Sequence, residues 1–176
     1  MCGACGAGRS GPRWEDDLAM PTRTALQARA AAANRLLGAG SRLRVRPWFS
    51  VGYLLADRVG KSTHVTELDS LWHTARTWGA TLPGWEHGSG GAVTTSLDVP
   101  AQCDLDAVAV WFAAVAHLVR PDELEVRLPD PGGDRTIVAR VTPGAVAVSV
   151  AAADSTAASM RGVGAMQAAR HLRQHL

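Results

Sequence analysis

The chain is predicted to be an α+β protein, mainly an antiparallel sheet with packed helices. Three features predict it. Runs that alternate apolar and polar residues come in neighbours joined by short Gly/Pro/Asp turns, at 42–56 and again at 123–150, and strands joined this tightly pair antiparallel. Elsewhere apolar residues recur at helical spacing, as in Leu68, Leu71, Trp72 and Ala75. The order α-β-β-(β)-α then reads twice along the chain, in possible halves 22–82 and 92–176, which suggests a pseudo-repeat whose strands, if the halves are duplicates, would pair into one antiparallel sheet.

Taken in order, residues 1–21 form a Gly/Pro/Arg-rich arm carrying a Cys-x-x-Cys, with Trp14 its only large anchor. The α+β domain is expected to occupy 22–176, with its core after Thr22, so that the arm is peripheral. Thr22 or Thr24 caps a helix through Leu37, built on the helix formers of 26–33 and stopped by Gly38 and Gly40. Leu43 and Val45 alternate with Arg42, Arg44 and Arg46 in a half-buried strand ended by Pro47, with 51–56 as its hairpin partner and 57–60 as the turn after it. Residues 62–65 add a short third strand. Thr66, with Asp69 three positions on, reads as a variant capping box for a helix bearing Leu68, Leu71, Trp72, Ala75 and Trp78.

A Gly/Pro linker follows at 79–91, then a strand at 92–99. A helix over 105–119 presents Leu105, Val108, Phe112, Val115 and Val119 on one face. Strands at 123–128, 136–141 and 145–150 are joined by Gly/Pro turns, and a last helix runs from about Ser155, capped by Asp154 or Ser155, to the C-terminus. Trp72, Trp78 and Trp111 fall in or beside apolar stripes and read as core.

Composition narrows the classes. At 176 residues, 47% hydrophobic and 19% charged, the chain can bury a core without staples. Its net charge of +2 hides an asymmetry: residues 1–61 carry ten Arg/Lys against four acids, whereas 62–176 carry eight against twelve. Seventeen of the 18 basic residues are Arg, a bias that accompanies abundant Ala and Gly and by itself does not argue for nucleic acid. No apolar run approaches the roughly 18 residues of a membrane span, and no basic segment followed by an apolar stretch marks a secretory signal, so a cytoplasmic protein is expected. Three cysteines, an odd number, argue against a disulfide framework.

The motif richest in chemistry is Cys2-Gly3-Ala4-Cys5-Gly6, where two thiolates with small neighbours can wrap one metal ion. Zinc needs four ligands. His171 and His175, four residues apart near the C-terminus, are the candidates to complete a Cys2/Cys5/His171/His175 site, and a homodimer pooling two Cys-x-x-Cys pairs is the alternative. The opening resembles zinc-knuckle accessory proteins over six residues. A redox role fails locally, because Gly6, Gly8, Gly11 and Pro12 leave no helix N-terminus to lower a thiol pKa. The Met-Cys-Gly start also resembles class II glutamine amidotransferases over three residues, which implies Cys2 as a nucleophile. The single asparagine, Asn34, precedes Arg35 inside a helix, so the Asn-Gly oxyanion element is missing. Gly60-Lys61-Ser62-Thr63 ends like a P-loop, yet Leu55 stands where its first glycine belongs, and Lys61 reads as a solvated turn residue.

Arg42, Arg44 and Arg46 share one strand face, and with Trp48 they form a basic, aromatic surface suited to phosphates and bases. The expectation is a non-catalytic binding or adaptor protein with a protein partner and a zinc-binding knuckle. A nucleic-acid- or ribosome-associated protein is the first alternative and a Cys2-dependent enzyme the second.

Overall fold

The computed structural model describes residues 13–49, 51–85, 91–100, 103–130, 134–152 and 157–176. Local rules account for much of its first half. Helix α1 (Trp14–Leu18) is one short turn, and α2 (Arg23–Leu37) starts where Thr22 Oγ1 accepts the Ala25 N–H at 3.0 Å. Gly38, at φ 73°, ends α2 in a positive-φ conformation while its N–H closes on the carbonyls of Asn34 and Arg35. Strand β1 (Leu43–Trp48) buries Leu43 and Val45 and exposes Arg44 and Arg46. It continues through Pro47, which an edge strand tolerates.

Strands β2 (Gly52–Asp57) and β3 (Ser62–Val65) complete a three-stranded antiparallel sheet in the order β1-β2-β3. Its second turn is held by Asp57 Oδ1, which accepts from the N–H groups of Val59 and Lys61. Asn34 ties α2 to this sheet, its Oδ1 accepting from Val45 N at 3.0 Å and its Nδ2 donating to Val45 O at 2.8 Å.

The start of α3 (Leu68–Thr77) departs from expectation. The Thr66/Asp69 capping box does not form: no side chain of the helix's own first turn caps it. Instead Glu15 Oε1, from α1, accepts the Leu68 N–H at 3.0 Å. Asp69 turns elsewhere, taking Trp14 Nε1 on Oδ2 (2.9 Å) and His117 Nε2 on Oδ1 (3.1 Å). The stretch 13–20, expected to be peripheral, therefore packs on the body through Trp14, Glu15 and Leu18.

Helix α4 (Leu105–Ala114), capped by Asp104 Oδ1, is buried on every side from Ala107 to Ala114 rather than along one stripe. A helix apolar all round belongs in the middle of a core. It runs into a π-helical turn, Val115–Val119, closed by Arg120 at φ 58°. The wider turn leaves the Ala116 carbonyl free to accept from Gly144 N at 2.8 Å, which fixes the turn at 142–145.

The second half holds β4 (Ala92–Ser96), β5 (Leu124–Pro129), β6 (Arg135–Thr142), β7 (Ala145–Ala152) and β8 (Ser159–Val163), an antiparallel sheet in the order β4-β8-β5-β6-β7. Two expectations are corrected here. The strands form two sheets, not one, because α2 and α4 pack against each other while α2 meets β1 and α4 meets β6 and β7, which keeps the sheets apart. And 159–163 is a strand, with α5 (Ala165–Arg173) starting only after Gly164 at φ 77°. Pairing with β4 on one side and β5 on the other outweighs the helix-forming residues of this stretch. Gly162 (φ 138°) permits that pairing: a Cβ there would lie 2.3 Å from the Glu123 carbonyl oxygen.

Candidate functional site

Helices α2 and α3 pack on the three-stranded sheet, and the opposite face is open. On that face β1 contributes Arg44, Arg46 and Trp48. Opposite them in register stand Ala56, Leu54 and Gly52 on β2, and beyond these Ser62 and His64 on β3. Arg42 precedes β1 in the same phase. All three arginines are exposed, and among the described residues none pairs with a carboxylate. Arg44 turns one nitrogen, Nη1, onto the carbonyls of Leu43 at 2.8 Å and Ser41 at 3.4 Å, and its Nε and Nη2 have no partner among the described residues.

The stripe has an aromatic group at each end. At the hairpin tip Trp48 is 39% exposed, with Phe49 edge-on at 4.9 Å and His64 at 6.1 Å. Phe49 holds φ 50° and is 76% exposed, an unusual backbone for a bulky residue. At the other end Arg42 lines a groove of about 530 Å³ with Gly38, Gly40, Trp78 and Pro83, and Lys61 Nζ sits 4.2 Å from the Trp78 ring centroid. The sequence expectation placed Arg42, Arg44, Arg46 and Trp48 together, and the structure brings them onto one face. It adds Phe49, His64 and the groove, whose residues are distant in sequence and follow no period.

The proposed metal ligands fare differently. Cys2 and Cys5 lie outside the described residues. His171 is buried with both ring nitrogens engaged: Trp111 Nε1 donates to its Nδ1 at 2.9 Å, and its Nε2 donates to the Pro83 carbonyl at 3.1 Å. These partners fix a neutral imidazole. As a metal ligand it would have to surrender one of those bonds. His175 lies beside it, with ring centroids 4.6 Å apart and planes tilted by 39°. Cys103 has its thiol pushed up to about 11 by burial and by neighbouring Asp104, which disfavours the thiolate a metal needs. Among the described residues no group of three or more His, Cys, Asp or Glu side chains is arranged to hold a metal ion.

Burial holds the His171 pKa below the ordinary histidine value, against the pull of its bond to Pro83. Burial likewise lowers His175, with His171 and Arg35 adding charge repulsion. A folded pKa below the unfolded one means that stability is complete above about pH 6.5 and drains as pH falls through that value, while the unfolded chain takes up protons first. Protonation at His171 Nδ1 would also set two N–H donors, its own and that of Trp111, against each other. The thermal midpoint is expected to fall between pH 7.5 and pH 5, by about 2–4 °C for each kcal/mol lost in a chain of this size. The buried carboxyl of Glu15, pushed upward mainly by burial, acts in the opposite direction, so the test compares pH slopes of wild type and His171→Gln. Equal slopes would refute it.

In a second titratable cluster the histidine pairs with a carboxylate and, among the described residues, with no hydroxyl. Asp69 and His117 border a shallow cavity of about 290 Å³ with Ser70, His73 and Thr74. The Ser70 hydroxyl donates to Glu67 Oε1 at 2.8 Å and not to His117. Asp69 already serves Trp14, so the dyad reads as a tie between α1, α3 and the π turn. No protein family, curated protein or solved structure matches the chain.

Proposed function

We propose that this protein is a non-catalytic binding protein that grips single-stranded nucleic acid on the open face of β1–β3. The observation that carries the reading is the line of three exposed arginines, unpaired with any described carboxylate, which ends at Trp48 and Phe49. Arginines free of carboxylates are available to neutralise phosphates, and an exposed ring flanked by them offers a stacking surface for a base. Strand β1 is about 17 Å long at its ordinary rise, so the stripe spans several nucleotides rather than one.

Replacing Arg42, Arg44 and Arg46 together by Ser is expected to weaken binding to short single-stranded oligonucleotides and to flatten the salt slope by about two units, at roughly 0.7 per lost phosphate contact. Trp48→Ala should cost a further 1–3 kcal/mol, roughly one stacked base. The arginine change should not move the thermal midpoint appreciably, because those side chains face solvent. Fluorescence anisotropy across a salt series is the measurement. Wild-type protein that binds no RNA or DNA oligonucleotide at low salt ends the reading.

The zinc reading of Cys2 and Cys5 rests on sequence alone and is kept as a separate proposal. Given the engaged His171, two chains pooling their Cys-x-x-Cys pairs is the form that needs no bond broken. Elemental analysis of reduced protein purified without chelator is expected to give one zinc per two chains, and Cys2→Ser with Cys5→Ser should abolish the metal and dissociate the pair. Metal at background level in the wild type would remove zinc from the account.

A further inference from the structure

The two ends of the arginine stripe differ in shape. At Trp48 and Phe49 the rings stand in the open, whereas at Arg42 the stripe runs into the groove of about 530 Å³. Beyond Arg42 the chain leaves the sheet, and the loops at 38–41 and 79–83 build the groove walls. These loops meet, since a Cβ at Gly38 would lie 3.4 Å from Pro83 Cγ. A nucleic-acid strand laid along β1 therefore reaches a wall here rather than more open sheet.

The lining suits an anion held beside a ring. It contains no carboxylate, and Arg42 and Trp78 both belong to it. Two more cations stand at its rim: Lys61 Nζ, 4.2 Å from the Trp78 ring centroid, and Arg58, whose Nη2 donates to Ser41 O at 3.3 Å. None of the three cations forms an ion pair among the described residues. The backbone supplies further donors. The N–H groups of Ala39, Gly40, Arg42 and Thr81, all lining residues, have no hydrogen-bond partner among the described residues. Short side chains at 38–40 let an oxyanion approach such amides closely.

We propose that this groove receives the phosphorylated end of a single strand, an inference that rests on the nucleic-acid reading above and makes it one of strand ends. An internal phosphodiester carries one negative charge, whereas an end monoester carries about 1.5–2 and offers three accepting oxygens. Three unpaired cations and a set of open amides match the monoester. The Trp78 ring gives the terminal base a wall to lie against, while Arg44, Arg46 and Trp48 hold the nucleotides that follow.

Fluorescence anisotropy on the full chain tests it with single-stranded oligonucleotides of one sequence. One has unmodified ends, one a 5′-phosphate, one a 3′-phosphate, and one unmodified ends with an extra nucleotide. One of the two phosphorylated strands is expected to bind about tenfold tighter than the unmodified one, the worth of a charge-assisted hydrogen bond, and which of them does so gives the polarity. The longer strand adds a charge without an end monoester and should gain less than about twofold. Gly40→Glu sets a carboxylate in the wall, and because an added Cβ there meets nothing within 4 Å the fold should keep its thermal midpoint. That variant should erase the preference for the phosphorylated end, whereas Gly40→Gln, of equal size and no charge, should retain it. Equal affinity for phosphorylated and unmodified strands overturns the groove and leaves the stripe standing. A preference that survives Gly40→Glu, or that the longer strand matches, does the same. Binding of no oligonucleotide at low salt overturns both.

Discussion

Replacing Arg29 by Met is expected to cost about 3–5 kcal/mol of folding stability, the range found when one partner of a buried ion pair is removed. Arg29 lies in the middle of α2 and is 1% exposed, a place that would suit an apolar residue if the fold did not surround it with acceptors. Its Nε donates to Asp106 Oδ1 at 2.7 Å, its Nη1 reaches Asp16 Oδ1 at 3.5 Å, and its Nη2 donates to the carbonyls of Glu15 (3.1 Å) and Ala19 (2.7 Å). One side chain thereby joins α1, α2 and α4. Methionine would fill most of the volume but leave the Asp106 carboxylate and the Ala19 carbonyl without a donor, and the desolvation of those groups is the source of the loss. Urea unfolding should show a lower midpoint with an unchanged slope. Arg35→Met, on the exposed side of the same helix, is the control and should stay within about 0.5 kcal/mol. A loss below about 1 kcal/mol at Arg29 would show that the cluster adds no net stability.

Deleting residues 1–21 is expected to destabilise the protein by at least about 4 kcal/mol, against the sequence expectation that the midpoint would hardly move. Four separate losses add up. Leu18, 8% exposed in the core, removes about 1.5–3 kcal/mol of apolar burial. The Leu68 N–H loses Glu15 as its acceptor, a cap worth about 0.5–2 kcal/mol. Arg29 loses two backbone acceptors, and Asp69 loses Trp14. A pair of point variants separates the cap from the rest. Glu15→Ala should cost about 1–2 kcal/mol, whereas Glu15→Gln keeps an acceptor for Leu68 N without burying a charge and should be neutral or stabilising. Calorimetry that finds the truncated chain as stable as the full one would mean that α1 docks without holding anything together.

Both predictions turn on contacts across long stretches of sequence, and this marks where reading the sequence stopped. The arginine stripe was legible because side-chain direction in a strand follows a period of two, a property of the strand itself. Its aromatic surroundings were not, since His64 meets Trp48 across two strand pairings and Trp78 meets Lys61 through a tertiary contact. The sealed Thr136 hydroxyl left no trace at all. A threonine in a strand is ordinary, and only the packing around it reveals a hydroxyl without a partner.

The chain by itself determined whatever closes within a few residues: the Thr22 cap, the Gly38 stop, the Asp57 turn, the outward arginines of β1 and the α-β-β-β-α order of the first half. Those features rest on hydrogen bonds and periods that span less than two helical turns, so the residues that make them are neighbours on the page. Tertiary structure decided the rest. Leu68 takes its cap from Glu15, 53 residues away, because α1 docks against an α3 start that no side chain of its own first turn caps. Residues 159–163 became a strand because two open edges, β4 and β5, offered a ladder on both sides. His171 became a neutral core residue because Trp111 and Pro83 met it from opposite directions. In each case a buried polar group had to find a partner, and the nearest one in space was remote in sequence.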